Sequence, residues 1–286
     1  MKEESDLGVA FVNNIKTVIL LGAMIGLFVA GGAALGSGYI LPAFLIGVVV
    51  NVGAYLFSHK IAIASMRGRE LTAETGGEFY RMVERLAQRA DLPMPRVYLC
   101  PQQAPNAFAT GPSPKKAAVA VTQGAMDLLT PRELEGVMAH ELAHVKNRDT
   151  LISTIAATIA GVFAMMAQWM FFFVPIGGSR EGGNALVAVV VILVGAVGAA
   201  ILKAMISRSR EFAADADGAE IAGSPDGLVS ALQKLEAYSR RIPMQQPNPA
   251  MNNMFIIEPF SGKTITGLFA SHPPTEDRVR ALLGRS

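Results

Sequence analysis

Charge is scarce in this sequence: Asp, Glu, Lys and Arg make up 17% of its 286 residues, where a soluble domain carries about 25%. The shortage is local. No charged residue falls in the 43 positions between Lys16 and Lys60, the 30 between Asp149 and Arg180, or the 21 between Glu181 and Lys203. Such gaps exclude an ordinary cytosolic enzyme. Cysteine is limited to Cys100, so there is no intrachain disulfide framework, no Cys-rich zinc finger and no mark of an oxidising compartment. A formal net charge of +2 offers no footing for a nucleic acid. Once the apolar stretches are set aside, roughly 150 to 170 residues of mixed character remain, enough for one globular domain with its own core.

What is present is first of all membrane-like. The first gap is too long for one span and is punctuated at Gly36, Ser37 and Gly38, which divides it into Thr17–Leu35 and Tyr39–Phe57. Each half is close to the roughly 20 residues that cross a hydrocarbon core. A second pair, Leu151–Phe173 and Ala185–Ile206, is joined by a turn at Pro175, Gly177 and Gly178. The acidic start (Glu3, Glu4, Asp6) and the lack of a small-residue cleavage site argue against a signal peptide. Lys60, Arg67 and Arg69 follow the second predicted span, Lys146 and Arg148 precede the third, and Lys203, Arg208 and Arg210 follow the fourth. Basic residues collect on the cytoplasmic side, so the N-terminus and the polar segments share that face. The expected division is a transmembrane hairpin (1–57), the first part of a cytosolic domain (58–149), a second hairpin (150–206) and the second part of that domain (207–286).

Chemistry enters with His140-Glu141-Leu142-Ala143-His144. The i, i+4 spacing sets two imidazoles on one helix face, where they can hold a zinc ion while Glu141 polarises a water. The helix itself is announced by Thr130-Pro131-Arg132-Glu133, a capping box with proline at the first helical position. A catalytic zinc normally has three protein ligands. Glu211 and Asp215, again i, i+4, stand just past the fourth predicted span. One of them can bind metal while the other accepts a hydrogen bond from a ligand imidazole.

Taken together, His140–His144, the Arg210–Asp215 segment, Asn106-Ala107-Phe108-Ala109 and Ser271-His272-Pro273-Pro274 with Arg278 resemble the membrane-bound M48 zinc metalloproteases of the HtpX, heat-shock type. The resemblance runs over roughly residues 1 to 285. It implies that His140, His144 and Glu211 hold one Zn²⁺ per chain, that Glu141 is the general base and that Asp215 stands behind a ligand. It also implies an endopeptidase acting in membrane-protein quality control, and it puts His272 near the open metal position, where a donor can steady the oxyanion.

The remaining segments fit around this. Pro95–Cys100, Asn106–Thr110 and Ala117–Thr122 read as a small sheet with an exposed edge, against which a substrate can pair through backbone hydrogen bonds alone. If the Ala109 N–H faces that substrate, proline at Ala109 should impair cleavage while leaving metal binding intact. Glu74–Arg89, Pro225–Tyr238 and Thr275–Leu283 read as helices, Ile242–Gly267 as a long loop, and His59 as an interfacial residue. The whole is a mainly α integral membrane protein with four transmembrane helices and a cytosolic α+β zincin-like (gluzincin) domain. Its expected partners are the lipid bilayer and polypeptides, above all membrane proteins. Two rivals stand beside this reading. An intramembrane protease is disfavoured by Glu133, Glu135, Lys146 and Arg148 around the motif. A non-catalytic adaptor or chaperone with a structural zinc would need Asp215 or His272 as a fourth ligand.

Overall fold

The computed structural model describes residues 15, 18–19, 21–33, 36–150, 208–241 and 273–284. Two apolar helices come first, α1 (Leu21–Ala33) and α2 (Ile40–Ser65). They are separated at Gly36, whose φ of 124° is open to glycine and strained for other residues. The helices fold back on one another. Asn51 Nδ2 donates to the Leu21 carbonyl at 3.0 Å, and a Cβ on Gly47 would stand 3.1 Å from Phe28 while one on Gly32 would clash with Ala43 at 2.6 Å. Small residues thus let the backbones approach, and one polar side chain pins the register.

Among the described residues, Ser37–Phe57 is the segment long and apolar enough to cross a membrane, at 21 residues with a mean hydropathy of 2.2. Of the other predicted spans, the first is represented by the shorter α1, and Leu151–Phe173 and Ala185–Ile206 lie outside the described residues. The helix α2 does not stop at the expected Phe57. Its 26 residues measure about 39 Å at 1.5 Å per residue, against about 30 Å of hydrocarbon, so its last two turns emerge beyond the span.

Those turns meet the sheet. Its strands are β1 (Arg69–Leu71), β2 (Arg96–Cys100), β3 (Ala107–Thr110) and β4 (Ala118–Thr122), in the order β1-β2-β4-β3. The β2–β4 pair is parallel, while β1–β2 and β3–β4 are antiparallel. Three strands fall within a residue of expectation. β1 has only three residues, too few to show an alternation. Side chains alternate between faces: Tyr98, Cys100, Phe108, Ala118 and Ala120 pack on Ala62, Ile63 and Met66 of α2. Val97, Ala107, Val119 and Val121 point into the main core. The end of α2, the helix long and apolar enough to span, is therefore joined to the sheet by packing.

On the other face lie α3 (Gly77–Arg89), α4 (Gln123–Leu128) and α5 (Pro131–Lys146), with α6 (Arg208–Ala222), α7 (Asp226–Arg241) and α8 (Thr275–Leu282) closing the layer. Phe79, Met82, Val83 and Leu86 of α3 and Leu228, Leu232 and Leu235 of α7 are core residues, as their spacing predicts. α5 runs through the middle, burying Leu134, Val137, Met138 and Leu142. Segments on either side of residues 150–206 therefore share one core, and β3 is left at the edge of the sheet beside α5.

Candidate metal centre

The start of α5 forms as its residues dictate. Thr130 Oγ1 accepts the Glu133 N–H, and the Glu133 carboxylate accepts the Thr130 N–H at 2.7 Å. Glu133 also accepts from Ser230 Oγ at 2.7 Å and Lys234 Nζ at 2.9 Å, which fastens α5 to α7. Burial works to raise its pKa, but these donors bring the carboxyl down to about 2.

Two turns further, His140 and His144 leave the same face with ring centroids 4.6 Å apart at 83°. Their Nε2 atoms are separated by 3.2 Å. From α6, Glu211 Oε2 comes within 3.8 Å of His140 Nε2, and Oε1 within 3.7 Å of His144 Nε2. One donor atom from each of the three lies within 4.8 Å of the others. This approach depends on Gly218, because a Cβ there would sit 2.8 Å from His140 Cα. The glycine brings α6 close enough to deliver Glu211.

The donor set fits a divalent cation on two counts. Ligand atoms 2.0–2.1 Å from a tetrahedral zinc are roughly 3.3 Å apart, and the observed separations lie near that value. The local charge also asks for one. Four carboxylates (Glu141, Asp149, Glu211, Asp215) face two guanidiniums (Arg210, Arg278) across the same cluster, leaving two negative charges for a dication to neutralise. His144 registers the same demand: burial lowers its pKa, yet Glu211, Asp149 and Glu141 raise it to about 9.

Behind the ligands stand the groups that orient them. His140 Nδ1 lies 3.0 Å from Asp215 Oδ1, which sets this side of the ring against a carboxylate, while Nε2 faces His144, Glu211 and, at 3.5 Å, Arg278 Nη2. Asp215 is in turn gripped by Arg278, with Nη2 to Oδ1 at 2.6 Å and Nε to Oδ2 at 2.8 Å, and Arg278 is only 1% exposed. Burial opposes ionisation of Asp215, but Arg278 and His140 overcome it and bring the carboxyl to about 2. His144 has a counterpart that the sequence reading did not single out. Its Nδ1 is 3.2 Å from Asp149 Oδ2.

Glu141 stands apart from the ligand triangle and accepts the Ala109 N–H at 2.8 Å through Oε2. That N–H is thereby occupied, so the condition for the Ala109→Pro test is not met here. In β3, Asn106 accepts from the Thr122 N–H, so residues 106, 108 and 110 bond inward to β4 while 107 and 109 turn outward, and the outward group of Ala109 is taken by Glu141. The side chains of Asn106, Ala107 and Phe108 are buried, so what the edge offers is backbone. His272 and Ile242–Gly267 lie outside the described residues.

Comparison with known proteins identifies the family. A sequence model described as peptidase family M48 matches residues 73–286. The "Protease HtpX homolog" of Syntrophobacter fumaroxidans is 46% identical over 277 residues, covering 93% of this chain and 97% of the relative. That of Desulfatibacillum aliphaticivorans is 48% identical over 279 residues, covering 95% and 89%. Among solved structures, S. mikatae Ste24p is similar in fold, with a TM-score of 0.55 at 17% identity over 96% of this chain and 67% of that one. With His140 and His144 of α5 and Glu211 of α6 placed so that they could hold a metal ion, and named proteases aligned along nearly its whole length, the chain belongs to peptidase family M48 and is a membrane metalloprotease.

Proposed function

We propose that this is a zinc endopeptidase, anchored by four transmembrane helices with its protease domain in the cytoplasm, that cleaves unfolded or damaged membrane proteins. One observation carries the reading furthest. The Glu141 carboxylate, one residue from a ligand histidine, is hydrogen-bonded to the backbone of the sheet's edge strand, so base and substrate rail are held together.

His140, His144 and Glu211 would hold the zinc, with Asp215 behind His140. Bound there, zinc supplies Lewis acidity toward a peptide carbonyl and toward water. Glu141 takes the proton of the attacking water and passes it to the leaving amine. The substrate lies as an antiparallel strand along Asn106–Ala109, using the outward backbone groups of Ala107 and the carbonyl of Ala109. His272 donates to the developing oxyanion. Pairing through backbone ignores side chains, which suits a protease confronted with varied unfolded chains. A structural-zinc adaptor predicts the opposite outcome in the simplest assay. Chelation should abolish cleavage of an unfolded polypeptide by the detergent-solubilised protein, and zinc should restore it. Metal-loaded protein that cleaves no unfolded polypeptide would favour the adaptor.

Orientation follows from the basic residues at the mouth of the span. Lys60, Arg67 and Arg69 are exposed just past Phe57, and Arg96 and Lys116 flank His59, whose pKa is lowered by burial and by these cations. Reporter fusions at Arg69 and at residue 286 should both report the cytoplasm. A fusion at Arg69 reporting the far side would reverse the proposed topology.

A further inference from the structure

The two ligand imidazoles are backed in parallel, and only one of the two arrangements has so far been given a role. His140 rests on Asp215, which is held by Arg278. His144 rests on Asp149 at 3.2 Å, and Asp149 faces Arg210, whose Nη1 is 3.6 Å from Oδ1. Both Asp149 and the Arg210 side chain are largely buried, at 5% and 11% exposed. Among the described residues, the guanidinium nitrogens of Arg210 have no hydrogen-bond partner. A buried cation with unmet donors is costly, and the carboxylate it faces is the one on the ligand histidine.

The placement is specific. Asp149 is five residues beyond His144, outside the reach of helical i, i+4 spacing, and it arrives there because α5 ends at Asn147 and Arg148 turns back with φ 58°. Arg210 immediately precedes the ligand Glu211 on α6. In the sequence, Asp149 is the last charged residue before one long apolar run and Arg210 lies just past the end of the next.

We propose that Asp149 is a positioning residue of the metal centre: it fixes the proton of His144 on Nδ1, aims Nε2 at the metal, and is itself held in place by Arg210. This rests on the metal-centre reading above. An imidazole backed by a carboxylate is a better and better-aimed ligand than a free one, and loss of such a partner costs about 10- to 100-fold in metal affinity.

The test uses the detergent-solubilised full chain and zinc or cobalt alone. Zinc affinity is measured by competition with a chromophoric chelator, and the ligand field by the visible spectrum of the Co²⁺ form. Asp149→Ala should weaken zinc about 10- to 100-fold and alter the cobalt spectrum, with Asp149→Asn, which keeps the shape, weaker than the parent in the same direction. Asn147→Ala, in the same turn but paired with Asp217 at 2.9 Å, should leave both readouts unchanged. Arg210→Met should weaken zinc in the parent yet add nothing in an Asp149→Asn background, because its effect passes through Asp149. Parent-like affinity and spectrum in folded Asp149→Ala or Asp149→Asn protein would overturn the proposal, and additive Arg210 and Asp149 effects would overturn the role given to Arg210. If His144→Ala also left zinc binding unchanged, the metal-centre reading itself would fall, a different result from an inert Asp149.

Discussion

Glu141→Gln should reduce peptide cleavage by about 100- to 10,000-fold, the span attributed to a positioned acid or base, while the protein keeps its metal. The amide is nearly isosteric, and its oxygen can still accept the Ala109 N–H that Oε2 accepts at 2.8 Å, so the edge strand stays in place. What disappears is the capacity to hold a proton between water and leaving amine. The ligand triangle of His140, His144 and Glu211 does not include Glu141, so metal content should remain at the parent level. Parallel measurement of zinc content and of unfolded-polypeptide cleavage decides the matter. A folded Glu141→Gln protein that has lost its zinc would move Glu141 into the ligand set. One that retains full activity would end its role as base.

That Glu141 and both histidines could be found without coordinates follows from their being local. A capping box, an apolar stripe and an i, i+4 pair all lie within one helix, where spacing alone fixes geometry. The three longer strands were legible as short runs set off by the turn at Pro112, Pro114 and Lys115, whereas three-residue β1 is too short to stand out. The third ligand was half legible. Glu211 and Asp215 share a helix face, so sequence narrows the choice to two, but only the approach of α6 to α5 separates them. Glu211 meets the Nε2 atoms and Asp215 meets Nδ1 of His140. That approach turns on Gly218, one of 28 glycines and unremarkable until its distance to His140 is known.

Asp149 was missed for a related reason. At i+5 it belongs to no helical pattern, and the left-handed turn at Arg148 that brings it back is invisible in composition. Arg278 was visible as part of a motif, but its partner is 63 positions away. The extension of α2 beyond Phe57 was hidden because His59 and Lys60 read as the end of a span. In the structure they lie inside the unbroken helix α2, whose end packs on the sheet.

The sharpest separation of roles should come from the two carboxylates of α6. Glu211→Ala removes one of three donors and should lower zinc affinity by more than the about 10- to 100-fold expected when a supporting group is lost. Asp215→Ala should fall within that range. Metal-free stability should rank them in the opposite order. Deleting Glu211 costs the metal-free protein only the carboxylate that favours protonated His144, whereas deleting Asp215 strands Arg278, a guanidinium 1% exposed, at a larger cost of about 3–5 kcal/mol. The pH dependence carries the same mark. Because the Asp215 carboxyl is brought to about 2 in the folded state, below its unfolded value of about 3.9, its contribution is fully present above that value and is lost as pH falls toward about 2. Thermal melts of chelated protein across that window should therefore show the parent losing stability that Asp215→Ala never had, so that the two converge at low pH. An Asp215→Ala protein that bound zinc more weakly than Glu211→Ala, yet melted with the parent when chelated, would exchange the roles of the two side chains.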